Sequence, residues 1–154
     1  GRDTLQGNEG NDTIAGNAAI DTISGGSGND VFSYAEFGAG ADGDNAAGGG
    51  PVELITDVNW AEDKFDTAVN VTFAANMGAG TGGDLNASAN NAIAAAFALA
   101  GGGVTTVVAA QFTFGGRTYL AIEQTAGNNT FTDATDLLVD ITGATGTIAT
   151  SNFI

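Results

Sequence analysis

The sequence predicts a protein dominated by β-structure whose first part is built from short stacked repeats. Four aspartates are each nine residues apart: Asp3, Asp12, Asp21 and Asp30. Four large apolar residues follow them at the same interval: Leu5, Ile14, Ile23 and Phe32. A fixed short period indicates an architecture in which each unit buries its apolar residue by stacking on its neighbours. Later in the chain, short apolar runs alternate with turn residues as strands do, and one stretch has helical spacing.

Composition excludes several classes of function. The 154 residues contain no cysteine and no histidine, which excludes disulfides, zinc sites and histidine-based catalysis. Eighteen acidic residues against Arg2, Lys64 and Arg117 give a formal charge of −15. Such a surface repels nucleic acid and anionic membranes and attracts cations, so we expect no nucleic-acid partner. No apolar run approaches the roughly 20 residues that span a bilayer, so we expect no membrane span.

The start of the chain also carries information. "GRDTLQ" matches the last six places of a nine-residue unit, so we expect the chain to be the tail of a longer protein. No basic segment followed by an apolar segment precedes it, so we expect no cleavable N-terminal export signal in this stretch.

The repeat units share a specific pattern. Aligned by aspartate they read "GRDTLQ", "GNEGNDTIA", "GNAAIDTIS" and "GGSGNDVFS". The last unit matches G-G-x-G-x-D-x-U-x completely, where U is a large apolar residue, and this pattern resembles the RTX family of calcium-binding repeats. The resemblance implies a parallel β-roll in which each unit supplies a turn and then a short strand, and two units make one coil. Leu5 and Ile23 would then point inward from one sheet, and Ile14 and Phe32 from the other.

Electrostatics favours a cation between the layers of such a roll. Stacked strands lie about 4.8 Å apart, so Asp12 and Asp30 would occupy adjacent layers. Two bare carboxylates at that separation repel by roughly 3 kcal/mol at an effective dielectric constant of about 20. A hard divalent cation reverses the sign of this interaction, and Ca²⁺ prefers oxygen ligands. The alternative is a glycine-rich solenoid whose aspartates only cap turns.

The resemblance also implies the ligands. In that family an ion lies between the turns of two adjacent layers. The turn of the lower layer supplies the residues at positions two, four and six of its nine-residue unit, and the turn of the upper layer supplies those at positions one, three and five. One set is Asn8, Gly10 and Asp12 with Gly25, Ser27 and Asn29. A second set is Gly1 and Asp3 with Gly16, Ala18 and Ile20. The lower-turn ligands of two further sites are Asn17, Ala19 and Asp21, and Gly26, Gly28 and Asp30. The third unit departs from the pattern at Asn17 and Ala19, which puts the site built on that unit in question.

The segment after the repeats has its own resemblance. "VELITDVNWAEDKFD" is similar to the segment that follows the repeats in serralysin-type proteases. Five acidic residues between the repeats and residue 63 are candidates for a further calcium ion: Asp42, Asp44, Glu53, Asp57 and Asp63. Solvated loop acids are the alternative interpretation.

The remaining sequence predicts one helix and several strands. Alanine-rich helical spacing predicts a short helix at about 88–100. "VVAAQFTFGGRTYLAIEQ" predicts a hairpin with its turn at Gly115 and Gly116. "DLLVDITG" and "TIATSNFI" read as two more strands, and the final "NFI" resembles the ends of proteins exported by type I secretion. A plain terminal strand is the alternative for that ending.

These features predict an all-β-dominated chain with an RTX calcium-binding β-roll over 1–33 and a C-terminal capping and secretion-signal region over 34–154. We expect a calcium-binding module that is not an enzyme, folds on Ca²⁺ outside the cell, and carries the signal for the type I secretion machinery. The alternatives are a self-associating subunit of a surface layer, adhesin or fibre, or the non-catalytic tail of a secreted protease or lipase. In each case the location is extracellular or at the cell surface.

Overall fold

The computed structural model describes residues 1–17, 19–35, 52–132 and 135–154. These residues form ten strands, one α-helix and one 3-10 helix. The strands are β1 Thr4–Glu9, β2 Thr13–Ile14, β3 Thr22–Ser27, β4 Val31–Ser33, β5 Leu54–Ile55, β6 Lys64–Asp66, β7 Phe73–Ala79, β8 Val108–Phe114, β9 Arg117–Ile122 and β10 Leu137–Asp140. The helix α1 is Leu85–Leu99 and the 3-10 helix is Thr150–Asn152. A mostly-β chain with a single α-helix is therefore confirmed for the described residues.

The repeat strands stack in two parallel sheets. β1 pairs with β3 so that Leu5 lies opposite Ile23, and β2 pairs with β4 so that Ile14 lies opposite Phe32. Ile23 and Phe32 are buried, and Leu5 and Ile14 pack against the same core. The pairing of each unit with the next but one is therefore as the nine-residue period predicts.

A third layer continues both sheets beyond the repeats. β5 pairs with β3, which places Ile55 opposite Ile23, and β6 pairs with β4, which places Phe65 opposite Phe32. Ile55 and Phe65 are fully buried. The segment that resembles the post-repeat region of serralysin-type proteases thus supplies a layer with the same inward apolar residues. The division into two domains at residue 33 remains a prediction.

The larger sheet then continues into the C-terminal half in the order β1-β3-β5-β10-β9-β8-β7. β5 and β10 are parallel, and β8 and β9 form the predicted hairpin. Gly115 and Gly116 have φ values of 58° and 80°, as a two-residue hairpin turn of this kind requires. β10 confirms the strand predicted in "DLLVDITG".

The helix begins earlier than the alanine-rich spacing predicts, at Leu85 instead of about 88. Asp84 is the reason, because its side chain accepts a hydrogen bond of 2.8 Å from the backbone N–H of Ala87 and so caps the first turn. Ile93 and Ala96 are fully buried in a core shared with β8, β9 and β10. No helix in the described part of the chain is long and apolar enough to cross a bilayer.

The prediction of a strand across "TIATSNFI" is wrong. Thr150–Asn152 form a 3-10 helix, and strand-like pairing is limited to one bridge between Phe65 and Phe153. Asn152 explains the difference. Its Oδ1 accepts from the N–H of Ala149 at 2.9 Å, and its Nδ2 donates to the carbonyls of Trp60 and Asp63 at 2.9 and 3.0 Å. These three bonds turn the chain and attach it to the third layer, where Phe153 packs against Trp60 and Phe65.

We expect replacement of Asn152 with Ala to lower the free energy of unfolding by about 2–4 kcal/mol, because it leaves two buried carbonyls and one N–H without partners. The matched control is Asn70→Ala, at an exposed asparagine, which should change stability by less than about 0.5 kcal/mol. Urea denaturation in the presence of calcium measures both. Equal stabilities for the two variants would show that Asn152 does not fasten the C-terminus.

Candidate metal site

The parallel registers stack acidic residues in two columns. In the larger sheet, the residues before the paired strands are Asp3, Asp21 and Glu53. In the smaller sheet they are Asp12, Asp30 and Asp63. Each layer is bonded to the next through these side chains: the N–H groups of Asp3, Asp12 and Asp30 donate to the Oδ1 atoms of Asp21, Asp30 and Asp63 at 2.6, 2.9 and 3.1 Å, respectively.

The second oxygen of three of these carboxylates has no such partner. Among the described residues, Oδ2 of Asp12, Asp21 and Asp30 is buried and makes no hydrogen bond. Asp21 and Asp30 are each only 1% exposed. Burying a charged oxygen without a donor is costly, so a buried oxygen of this kind requires a cation, a proton or water.

Glycine provides the space beside these oxygens. Gly7, Gly16 and Gly25 occupy the first place of their units, and a Cβ on each would lie 2.8, 2.9 and 2.5 Å from Oδ2 of Asp12, Asp21 and Asp30, respectively. At Gly7, the carbonyl oxygen of Gly25 also lies close to where this Cβ would be. At Gly16, Oε2 of Glu53 lies 2.9 Å from where the Cβ would be. Oxygen atoms from different layers therefore converge on the backbone of each turn. This donor set, made only of oxygen, suits Ca²⁺.

The turns of the second, third and fourth units share one backbone conformation. The second and fourth places of these units have positive φ: Asn8, Gly10, Asn17, Ala19, Gly26 and Gly28. Asn17 (62°) and Ala19 (106°) adopt this conformation although they depart from the glycine pattern. Asparagine tolerates the left-handed region, whereas alanine does so only with strain. The third unit therefore has positive φ at the same two places as its neighbours, at an energetic cost located at Ala19.

The first predicted ligand set is brought together in part. The carbonyl of Gly25 and Oδ2 of Asp12 both lie beside Gly7, and a Cβ on Gly26 or Gly28 would lie 1.9 Å from the carbonyl of Asn8 or Gly10. The carbonyl of Ser27 accepts a 2.9 Å hydrogen bond from the N–H of Gly10, another member of the set. Asn29 is joined to Asn11, whose Oδ1 accepts from its N–H at 2.9 Å.

The second predicted set is less closely grouped. Gly16 lies beside Asp21 and Glu53, and Asp3 contacts this group only through its N–H. Gly1 and Asp3 are exposed and Ile20 is half-buried, while Ala18 lies outside the described residues. The assignment of these ligands remains a prediction.

The acidic residues after the repeats divide into two kinds. Glu53 and Asp63 continue the columns, whereas Asp57 accepts from Ser24 Oγ and from the N–H groups of Gly25 and Gly26, at 2.6, 3.0 and 3.0 Å, and so caps a turn. Asp42 and Asp44 lie outside the described residues.

The sequence did contain a signal for the two columns of acidic residues. Glu53-x-Ile55 and Asp63-x-Phe65 repeat the acid-x-apolar triplet of the nine-residue units, but at a longer interval.

The pKa of Asp63, in the third layer, is raised by its surroundings. Burial raises the pKa of Asp63, the charges of Asp30 and Asp57 raise it further, and the N–H groups of Asn59 and Asp30 oppose the shift. In the part of the chain that the structure describes, no three acidic side chains lie close enough together to bind a metal alone. A cation here must therefore take much of its coordination from backbone carbonyls, as in the predicted ligand sets.

The fold and the columns define a class: a mostly-β protein whose nine-residue units stack one carboxylate per turn beside a glycine backbone. Residues 1–33 match the family model of the RTX calcium-binding nonapeptide repeat, in four copies. The repeats of this family bind calcium. No curated protein and no solved structure matched the chain.

We expect Ala19→Gly to stabilise the protein by about 1 kcal/mol or more, because glycine adopts a φ of 106° without strain. Ala15→Gly is the matched control, since Ala15 ends the preceding unit and has no positive φ. It should lower the free energy of unfolding by about 0.5–1 kcal/mol. Thermal denaturation in calcium measures both changes. A loss of stability in both variants would show that Ala19 is not strained in the folded protein.

Proposed function

We propose that this chain is a calcium-dependent C-terminal module of a larger exported bacterial protein, in which the three stacked layers form a parallel β-roll held together by Ca²⁺. The observation that carries the proposal is the set of buried Oδ2 atoms on Asp12, Asp21 and Asp30, which have no hydrogen-bond donor among the described residues. These atoms lie in the units that match the calcium-binding repeat family.

Each ion would be held by one aspartate and by backbone oxygens of two turns. The best-supported ligands are Asp12, Asn8 and Gly10 from one turn with Gly25, Ser27 and Asn29 from the next layer. A second ion near Asp21 would use Asn17 and Ala19 and would lie beside Glu53, whose Oε2 approaches the same glycine. The ion supplies positive charge that offsets the repulsion between layers.

Calcium would couple folding to the compartment. Metal binding becomes folding free energy when the site does not exist in the unfolded chain. With a formal charge of −15 and glycine-rich turns, the repeat half is strongly disfavoured without cations. In the low calcium of a cytosol the chain would stay unfolded and suited to export, and it would fold outside at extracellular affinities of about 10⁻⁴–10⁻³ M.

The C-terminal residues would serve as the signal for type I secretion. In the folded chain Phe153 is buried and the N–H of Ile154 donates to the carbonyl of Phe65 at 3.0 Å. Folding of the third layer therefore buries Asn152 and Phe153, while Ile154 stays 55% exposed. The buried part of the signal would be accessible only before calcium binds, so that export would precede folding.

A structural role in a surface layer, adhesin or fibre is the second candidate. Leu99 and Val104 are large apolar residues that are 66% and 89% exposed. They lie at the end of α1 and in the segment after it, and could contact another copy of the chain. In both candidates the module is not itself an enzyme, and catalysis would belong to another part of a secreted protease or lipase.

Chelation should unfold the repeat half first. We expect the amides of residues 10–32 to lose hydrogen-exchange protection in EGTA and to regain it in millimolar calcium, while α1 and the β8–β9 hairpin keep more of theirs. Asp12→Ala should bind fewer calcium ions and gain less melting temperature from calcium than the wild type. Glu9→Ala is the matched control, because Glu9 is an exposed acid of the same turn outside the ligand sets.

Two results would contradict the calcium assignment. One is equal protection of residues 10–32 with and without calcium, which would indicate a solenoid that does not depend on metal. The other is the same calcium stoichiometry for Asp12→Ala and the wild type by calorimetry.

Export tests the C-terminal signal. Removal of residues 149–154 should abolish release of the chain by a type I secretion system in cells that still synthesise it. The control removes the exposed residues 129 and 130 instead. Equal release of both variants would place the signal elsewhere.

A further inference from the structure

A pair of buried carboxylates lies in the C-terminal half, away from the repeat layers. Glu123 directly follows β9, and Asp136 directly precedes β10. The antiparallel register pairs Ile122 with Leu137, so Glu123 and Asp136 are the next residues opposite each other across the two strands. Directly opposed residues of an antiparallel pair point to the same face with Cβ atoms about 4.5–5.5 Å apart. Both residues are fully buried.

The two carboxylates differ in their hydrogen bonds. Asp136 accepts from the N–H of Gln124 at 2.9 Å with Oδ1 and from the N–H of Thr132 at 2.7 Å with Oδ2. Glu123 accepts from the N–H of Thr125 with Oε1. Oε2 of Glu123 is buried and makes no hydrogen bond. Glu123 therefore holds a buried acceptor that lacks a donor among the described residues.

In the part of the chain that the structure describes, no basic side chain forms an ion pair with Glu123. The chain has only Arg2, Lys64 and Arg117. Arg117 forms an ion pair of 2.9 Å with Asp140 at the opposite end of β9 and β10. Arg2 precedes β1 and Lys64 lies on β6 in the other sheet. Like charges directly opposite in a sheet are destabilising, and buried ions are normally paired or bound to a metal.

We propose that Glu123 and Asp136 form a separate site for a hard divalent cation, of which Ca²⁺ is the expected occupant, at the end of the β9–β10 pair. Oε2 of Glu123 is the principal ligand, and Asp136 contributes the second negative charge and orients the connection through its bonds to Gln124 and Thr132. The ligands are oxygen atoms, and a chain without histidine and cysteine offers no softer donors. This site belongs to no nine-residue unit, so it does not depend on the calcium sites of the repeats.

Burial and the neighbouring charge are consistent with a site that needs a positive partner. Burial raises the pKa of Glu123 to about 7, the Asp136 carboxylate raises it too, and the Thr125 N–H opposes the shift. Burial also raises the pKa of Asp136, against the N–H groups of Gln124 and Thr132. Near neutral pH a proton and a metal ion would therefore compete for the carboxylate of Glu123. A cation would use Oε2 of Glu123 directly, because no donor among the described residues occupies it.

Glu123→Gln tests the site because it keeps the shape of the side chain and removes its charge. In chelator-stripped protein titrated with CaCl₂ by equilibrium dialysis, we expect this variant to bind one fewer ion per chain than the wild type. Glu62→Gln, the same change at an exposed carboxylate, should bind as many ions as the wild type. Asp12→Ala should lose repeat calcium but keep the ion that depends on Glu123, so the double variant should lose both.

Melting temperature at pH 8 gives an independent reading. The raised pKa of Glu123 means that its contribution to stability is lost as pH rises through about 7. In EGTA the glutamine variant should therefore melt at a higher temperature than the wild type, and in millimolar calcium the order should reverse. The same order in both conditions, or an unchanged stoichiometry for Glu123→Gln, would show that the pair holds only a proton and would overturn the proposal.

Discussion

Every layer of the repeat half places a carboxylate above or below another carboxylate, and the local structure is arranged around supplying those oxygens with partners. Oδ1 of Asp21, Asp30 and Asp63 accepts the backbone N–H of the aspartate one layer below. That bond fixes the vertical spacing of the layers. In Asp21 and Asp30 it leaves Oδ2 facing the glycine backbone of its own turn, whereas Oδ2 of Asp63 accepts from the N–H of Asn59 at 2.8 Å. The first place of the unit must then be glycine, because any Cβ would occupy the space that the second oxygen faces. The glycine pattern of the units and the conformation of their turns thus both follow from the need to supply buried carboxylate oxygens with partners.

The two halves of the chain are joined at the third layer. β5 connects the repeat strands to β10, and the N–H of Asp140 donates to the carbonyl of Glu53 at 2.9 Å. Glu53 also accepts from the hydroxyl of Tyr34, and so links the end of the repeats to the C-terminal sheet. Phe153 and Asn152 close the same layer from the other side. The third layer therefore contacts the repeat strands, the C-terminal sheet and the last residues of the chain.

Local sequence information predicted the stacked units well, because each contact there repeats at a fixed interval. The pairing of Leu5 with Ile23, the hairpin at Gly115 and Gly116, and the presence of one helix all followed from periodicity or turn chemistry. The third layer did not, because Glu53 and Asp63 join the columns across an interval that breaks the period. The C-terminal 3-10 helix was missed since it depends on contacts of Asn152 with Trp60 and Asp63, far away in sequence. Glu123 and Asp136 become neighbours only through the antiparallel register of their strands.

The position of β1 and β2 at the edges of their sheets has a mechanical consequence. Among the described strands, β1 and β2 are each paired on one side, with β3 and β4 respectively, whereas β9 is paired on both sides, with β8 and β10. A force applied at residue 1 would therefore peel the first layer, then the second, while the C-terminal sheet resists as a block. Each ion bound between two layers would link them and would have to dissociate before the layers could separate. A chain attached at its N-terminal side to a larger body would in this way extend in steps under tension, each step set by the calcium concentration around it.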